Sequence, residues 1–143
     1  MIKILLVEDD LNIQKLIVRN LENDFVVITA NTAIEAIFLT YTQTPDIIIL
    51  DINLNEDCTG IDVAKIINDL KSCNVSIIFI SSSEELLKSV DSQDIHHVAK
   101  LKKPEAFKTL KKTIYSFIDK SKIYVDIEKV LDKETESMIQ YLK

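Results

Sequence analysis

Hydrophobic and polar positions along this chain follow two alternating rhythms. An unbroken apolar run at Ile47 to Leu50, and largely apolar runs at Ile2 to Val7 and Ser76 to Ile80, read as strands buried on both faces, as in parallel sheets. Between them the spacing becomes helical. Leu11, Ile13, Leu16, Ile17, Val18 and Leu21 fall mainly on one side of a helix over 11–21. Phe25 to Ala30 is a short β-rich run. Three capping-box-like pairs, Thr32 with Glu35, Thr59 with Asp62 and Ser82 with Glu85, mark further helix starts. His97 to Leu101 is a poor strand by composition and is assigned from its place in the rhythm. Pro104 suits the start of a last helix through Phe107, Leu110, Ile114 and Phe117.

Strand–helix alternation of this kind predicts right-handed crossovers and a parallel sheet. The expected fold is α/β and flavodoxin-like, a (βα)5 unit with strand order 2-1-3-4-5. From Ser121 the rhythm is exhausted. Tyr124, Ile127, Leu131, Glu134, Met138 and Tyr141 recur at spacings of three and four, a heptad-like seam broken at Glu134. The expected division is therefore a domain over 1–120 and an extension over 121–143. The extension would hold an amphipathic helix from about Asp126 to Leu142, folded back, paired with a second copy or opening a linker.

Composition narrows the function. The chain has 143 residues, 47% hydrophobic and 28% charged, which suits one globular domain. No apolar stretch matches a membrane span, and Met1 leads straight into a strand, so the expected address is cytoplasmic. Cys58 and Cys73 stand outside any metal or redox spacing and read as idle thiols in a reducing compartment. Gly60 is the single glycine. That excludes the dinucleotide fingerprint and the P-loop, both of which need several. Net charge is −6, yet Lys100 to Lys122 carries eight lysines against Glu105 and Asp119, leaving −12 for the remainder. An acidic body argues against nucleic-acid binding. The lysine-rich stretch reads as a solvated helix face or a docking surface for an acidic partner.

The chemistry gathers where strands end. The first run closes in Glu8-Asp9-Asp10, the third strand in Asp51, the fourth in Ser81-Ser82-Ser83, and the fifth leads to Lys103-Pro104. Open α/β sheets bind ligands at this carboxyl edge. Each piece alone has a plainer reading: capping acids, a turn residue, a cap, a surface lysine. Acids, a hydroxyl and a lysine together point to magnesium-assisted phosphoryl chemistry.

On those residues, the stretch from 1 to about 120 resembles the receiver domain of two-component response regulators. The resemblance implies that Asp51 is the phosphoacceptor, attacking a phosphohistidine of a sensor histidine kinase or phosphotransfer protein to form an acyl phosphate. It implies a Mg2+ ion on the side chains of Asp9 and Asp51 and the backbone carbonyl of Asn53, with Glu8 holding a bound water. Asp10 would start the first helix. Lys103, before a cis Pro104, would neutralise charge on the carboxylate and then on the phosphoryl group. Ser81 would be the switch hydroxyl, and the small Ser82 would leave access open. The family pattern further implies a phosphorylation-dependent signalling module with a downstream protein partner, acting as a monomer or a phosphorylation-promoted homodimer. Catalysis would be limited to slow autophosphorylation from small donors and autodephosphorylation. Output is expected through protein contact, without direct contact to nucleic acid or membrane.

The chain also departs from the family pattern. Asn55 stands where proline is common, and the Gly60 turn comes one residue late. Lys100 takes the place of an inward-turning aromatic, and a lysine head is costly to bury, so it is expected at the surface. His96-His97 replaces small residues and reads as a pair of surface histidines. Two other functions compete: a receiver-like scaffold that binds partners without phosphate, and an aspartyl-nucleophile phosphatase. The phosphatase pattern wants an acid two residues after its nucleophile, where this chain has Asn53.

Overall fold

The structure is a computed structural model describing residues 1–70 and 75–118. It divides into two compact units, Met1–Lys111 and Lys112–Lys143. Five strands, β1 (Lys3–Val7), β2 (Val26–Ala30), β3 (Ile47–Asp51), β4 (Ser76–Ser81) and β5 (Ala99–Lys102), alternate with five helices. The helices are α1 (Leu11–Leu21), α2 (Ala33–Gln43), α3 (Gly60–Asp69), α4 (Glu84–Asp91) and α5 (Ala106–Phe117). The sheet has order β2-β1-β3-β4-β5, and every neighbouring pair is parallel. The expected flavodoxin-like topology is the observed one. Of the second unit only the end of α5 and Ile118 are described. The expected helix over Asp126 to Leu142, with the extension at 121–143, lies outside the described residues, as does Cys73.

Burial explains why the central strands are continuous apolar runs. All of β3 is buried, and Ile4 to Val7 and Ile77 to Ile80 are fully enclosed. Successive side chains of a strand face opposite ways. Leu5, Val7, Ile48, Leu50, Ile77 and Phe79 share one core with α2, α3 and α4 through Ala33, Ala36, Val63, Ala64, Ile67, Leu87 and Val90. Each large side chain enclosed in this way contributes roughly 1.5–3 kcal/mol of transfer free energy. The edge strands β2 and β5 are only partly covered. An edge strand needs fewer apolar residues, which is why β5 is poor in them.

Several local expectations shift by a residue or a face. In α1 the buried positions are Gln14, Ile17 and Leu21, while Leu11 and Leu16 are 55% and 52% exposed. A buried glutamine on the apolar face is stable because its amide is satisfied: Nε2 donates to the Glu8 carbonyl and to Asn31 Oδ1. Ser83, not Ser82, caps α4, its hydroxyl accepting from Leu86 N–H. Thr32 and Thr59 cap α2 and α3, and the box of Thr59 with Asp62 is reciprocal. Asp10 caps α1, accepting from the N–H groups of Asn12 and Ile13.

Candidate functional site

Parallel strands of matched register bring their last residues to one edge. Val7 lies opposite Leu50, and Asp51 opposite Ile80. The residues that follow β1, end β3 and β4, and follow β5 therefore converge, as the strand-end motifs require. Carboxylate oxygens of Glu8, Asp9 and Asp51 lie within 4.8 Å of one another. Glu8 and Asp51 are buried and Asp9 half-buried.

Lys103 enters this acid group from the end of β5. Its Nζ donates to Glu8 Oε2 at 2.9 Å and to Asp51 Oδ2 at 3.1 Å. Its amide N–H donates to the Ser81 carbonyl at 2.8 Å, and its bond to Pro104 is cis. Asp51 Oδ1 accepts from Asn53 N–H at 3.1 Å, and Glu8 Oε1 from Asp10 N–H at 3.3 Å. The Ser81 side chain is buried and accepts from Ser83 N–H at 3.0 Å, so it sits at the entry to α4. Ser82 beside it is exposed.

The electrostatics follow from burial. Glu8 is pushed up to about 7, mainly because burial penalises its charge, with the neighbouring Asp51 charge adding to the effect; the Lys103 hydrogen bond pulls the other way and does not win. Burial opposes the Lys103 charge, yet its hydrogen bond to Glu8 and the two carboxylate charges outweigh that and raise its pKa. Three carboxylates face one ammonium. This all-oxygen donor set fits a hard divalent cation, which would offset the repulsion that one lysine leaves.

Gly60 explains its own presence. A Cβ there would lie 2.2 Å from the Asp51 carbonyl oxygen and 2.8 Å from the Ile52 Cα. Its N–H donates to the Ile52 carbonyl at 2.8 Å. The start of α3 is thus pressed against the backbone that carries Asp51, and only glycine allows that approach.

Other neighbours of the site were not legible in the sequence. Asn55 adopts a left-handed backbone, φ 52°, and its Nδ2 donates to Asp9 Oδ2 at 2.7 Å. Glu56 Oε1 accepts from Ala33 N–H, at the start of α2, at 2.7 Å. Farther off, His97 corrects the expectation of two surface histidines. His96 is exposed, but His97 is half-buried, its ring in a T-shaped contact with Phe79, centroids 5.6 Å apart. Lys100 keeps its ammonium on Asp91 at the end of α4, with 26% of its side chain exposed. Cys58 is half-buried and free, and burial pushes its thiol pKa up, as suits an idle thiol.

The family model for the response regulator receiver domain matches residues 4–115. This chain belongs to that family. Among solved structures, the receiver domain resembles a signal receiver domain from Vibrio parahaemolyticus, with 25% identity over 88% of this chain and 96% of that one and a TM-score of 0.72. It resembles the response regulator TrrA of Thermotoga maritima, solved in complex with Mg(2+)-BeF, with 25% identity over 82% and 100% and a TM-score of 0.72. A Francisella receiver domain shares 26% identity over 77% and 90%, with a TM-score of 0.67. No curated protein sequence matches the chain. Among the described residues no helix is long and apolar enough to cross a membrane.

Proposed function

We propose that this receiver domain, over residues 1–120, accepts a phosphoryl group on Asp51 from a sensor histidine kinase or phosphotransfer protein. The phosphorylated form then passes the signal on by altered protein contacts. The observation that carries this reading is Lys103 Nζ bridging Glu8 and Asp51 inside a three-carboxylate group at the carboxyl edge of the sheet. The likeness to a receiver solved with Mg(2+)-BeF supports the same chemistry.

In the forward step an Asp51 carboxylate oxygen attacks phosphorus and the bond to the histidine nitrogen breaks. The nitrogen keeps the electron pair, and an acyl phosphate forms. Lys103 is held where it neutralises the Asp51 carboxylate and then an oxygen of the transferred group. The Ser81 hydroxyl, released from Ser83 N–H, bonds the phosphoryl group and carries the change into the start of α4. Mg2+ would be held by the side chains of Asp9 and Asp51, the Asn53 carbonyl and, through water, Glu8; bound there it offsets the charge of carboxylates and phosphoryl oxygens. Water attack at phosphorus reverses the modification and restores the carboxylate. This is slow self-dephosphorylation of a cytoplasmic signalling protein rather than turnover of a substrate. The segment 121–143 serves as an extension of the module, and self-association is a second route by which phosphorylation changes contacts.

Intact-mass analysis after incubation with acetyl phosphate, with and without Mg2+, tests the reading on wild type and Asp51→Asn. A Mg2+-dependent gain of one phosphoryl group, absent from the variant, is expected. Folded protein that gains none with Mg2+ present supports instead a scaffold that binds partners without phosphate.

A further inference from the structure

Asp9 is the least anchored of the three clustered carboxylates. Lys103 holds Glu8 and Asp51 from one side, and the Asp10 and Asn53 N–H groups hold them from the other. Among the described residues, Asp9 has one hydrogen-bond partner, the Asn55 amide on Oδ2, which leaves Oδ1 without a donor. Asn55 has contacts of its own within the loop. Its backbone N–H donates to Asn53 Oδ1 at 3.3 Å, and the next residue, Glu56, is tied to Ala33 N–H. Its φ of 52° is in the left-handed region, which asparagine tolerates better than most residues. The loop therefore delivers a neutral donor to one oxygen of Asp9.

We propose that Asn55 is a positioning residue for the cation site: it holds Asp9 by Oδ2 and turns Oδ1 toward the metal. The inference rests on the reading that Asp9, Asp51 and Asn53 hold a divalent cation. A carboxylate ligand oriented by an outer hydrogen bond loses less freedom on binding, and loss of such a partner typically weakens metal affinity about 10–100-fold. A neutral amide suits this place better than a second lysine. It aligns Asp9 without adding a positive charge that would compete with the cation.

Mg2+ titration of the full chain, followed by amide shifts in heteronuclear NMR, tests the proposal on wild type, Asn55→Gly, Asp9→Asn and the double variant. Glycine accepts the same backbone angle, so Asn55→Gly removes the amide without adding strain. The single variant is expected to bind Mg2+ about tenfold more weakly than wild type. In the Asp9→Asn background the same change should alter affinity less than about twofold, because the residue acts through Asp9. Unchanged or tighter binding by Asn55→Gly overturns the proposal, since the amide would then be idle or a competitor for the oxygen. An undiminished effect in the Asp9→Asn background overturns it too, by assigning the loss to the loop as a whole. Wild type that binds no Mg2+ overturns both this inference and the reading beneath it. Wild type that binds, with an unaffected Asn55→Gly, leaves that reading standing.

Discussion

The α-carbon of Gly60 faces the backbone carbonyl of Asp51 so closely that a methyl group there would meet the oxygen at 2.2 Å. The obstacle is backbone, not a side chain that can swing aside. Gly60→Ala must push α3 away from the end of β3 and disturb the carboxylate that β3 carries. Overpacking of this kind costs about 1–3 kcal/mol, which should appear as a lower urea midpoint. Acetyl phosphate labelling of Asp51 should fall further than the midpoint alone explains. Unchanged stability would show that α3 moves freely here.

Replacing Lys103 by methionine leaves Glu8 and Asp51 buried beside each other without their ammonium. Removing one partner of a buried ion pair costs about 3–5 kcal/mol. Protonation of Glu8 relieves part of that cost, so the loss should be larger at pH 8 than at pH 5.5. Phosphorylation should nearly cease, whereas Mg2+ affinity at pH 8 should rise, because a competing positive charge has left the carboxylates. Calorimetric titration separates the two effects. A parallel fall in both would mean that Lys103 serves mainly to hold the fold.

The raised pKa of Glu8 sets a pH window. Its proton is held more tightly in the folded chain, at about 7, than at the ordinary 4.5. Its stabilising contribution is therefore complete below about 4.5 and is lost as pH rises through about 7. Urea midpoints of metal-free protein should carry this loss across that interval, and the difference between wild type and Glu8→Gln isolates it. Saturating Mg2+ should shrink the difference at neutral pH, since a cation favours the ionised carboxylate. If the two metal-free proteins ran parallel from pH 4.5 to 7.5, Glu8 would be titrating normally.

Lys100 meets Asp91 on the outside of the domain. The hydrogen bond from its ammonium, opposed only in part by local desolvation, keeps the Asp91 carboxyl below its ordinary 3.8. Lys100→Met should move the Asp91 titration upward in a carboxyl-detected NMR experiment, and added salt should narrow the gap. The His97 ring, 3.9 Å from the other Asp91 oxygen, should shift its resonances in the same variant. An Asp91 curve that ignores Lys100 would place the lysine head elsewhere in solution.

Local pattern by itself determined the strands, their parallel arrangement and the edge at which the chemistry collects. Ile47 to Leu50 can be apolar throughout only if both faces are covered, and a strand covered on both faces in a chain of alternating helices lies inside a parallel sheet. Parallel strands share one carboxyl edge, so strand topology alone brings Glu8, Asp9, Asp51, Ser81 and Lys103 to the same side of the sheet. Tertiary structure decided which of them touch and what holds them. Lys103 reaches Glu8 across 95 positions of sequence and Asn55 reaches Asp9 across 46. Gln14 takes a core position because two acceptors from other segments satisfy its amide, and the half-buried His97 packs its ring against that of Phe79 in β4. Periodicity reports how each residue faces its own element. The partner of a polar group, and therefore its charge state and reach, depends on which distant segment packing brings beside it.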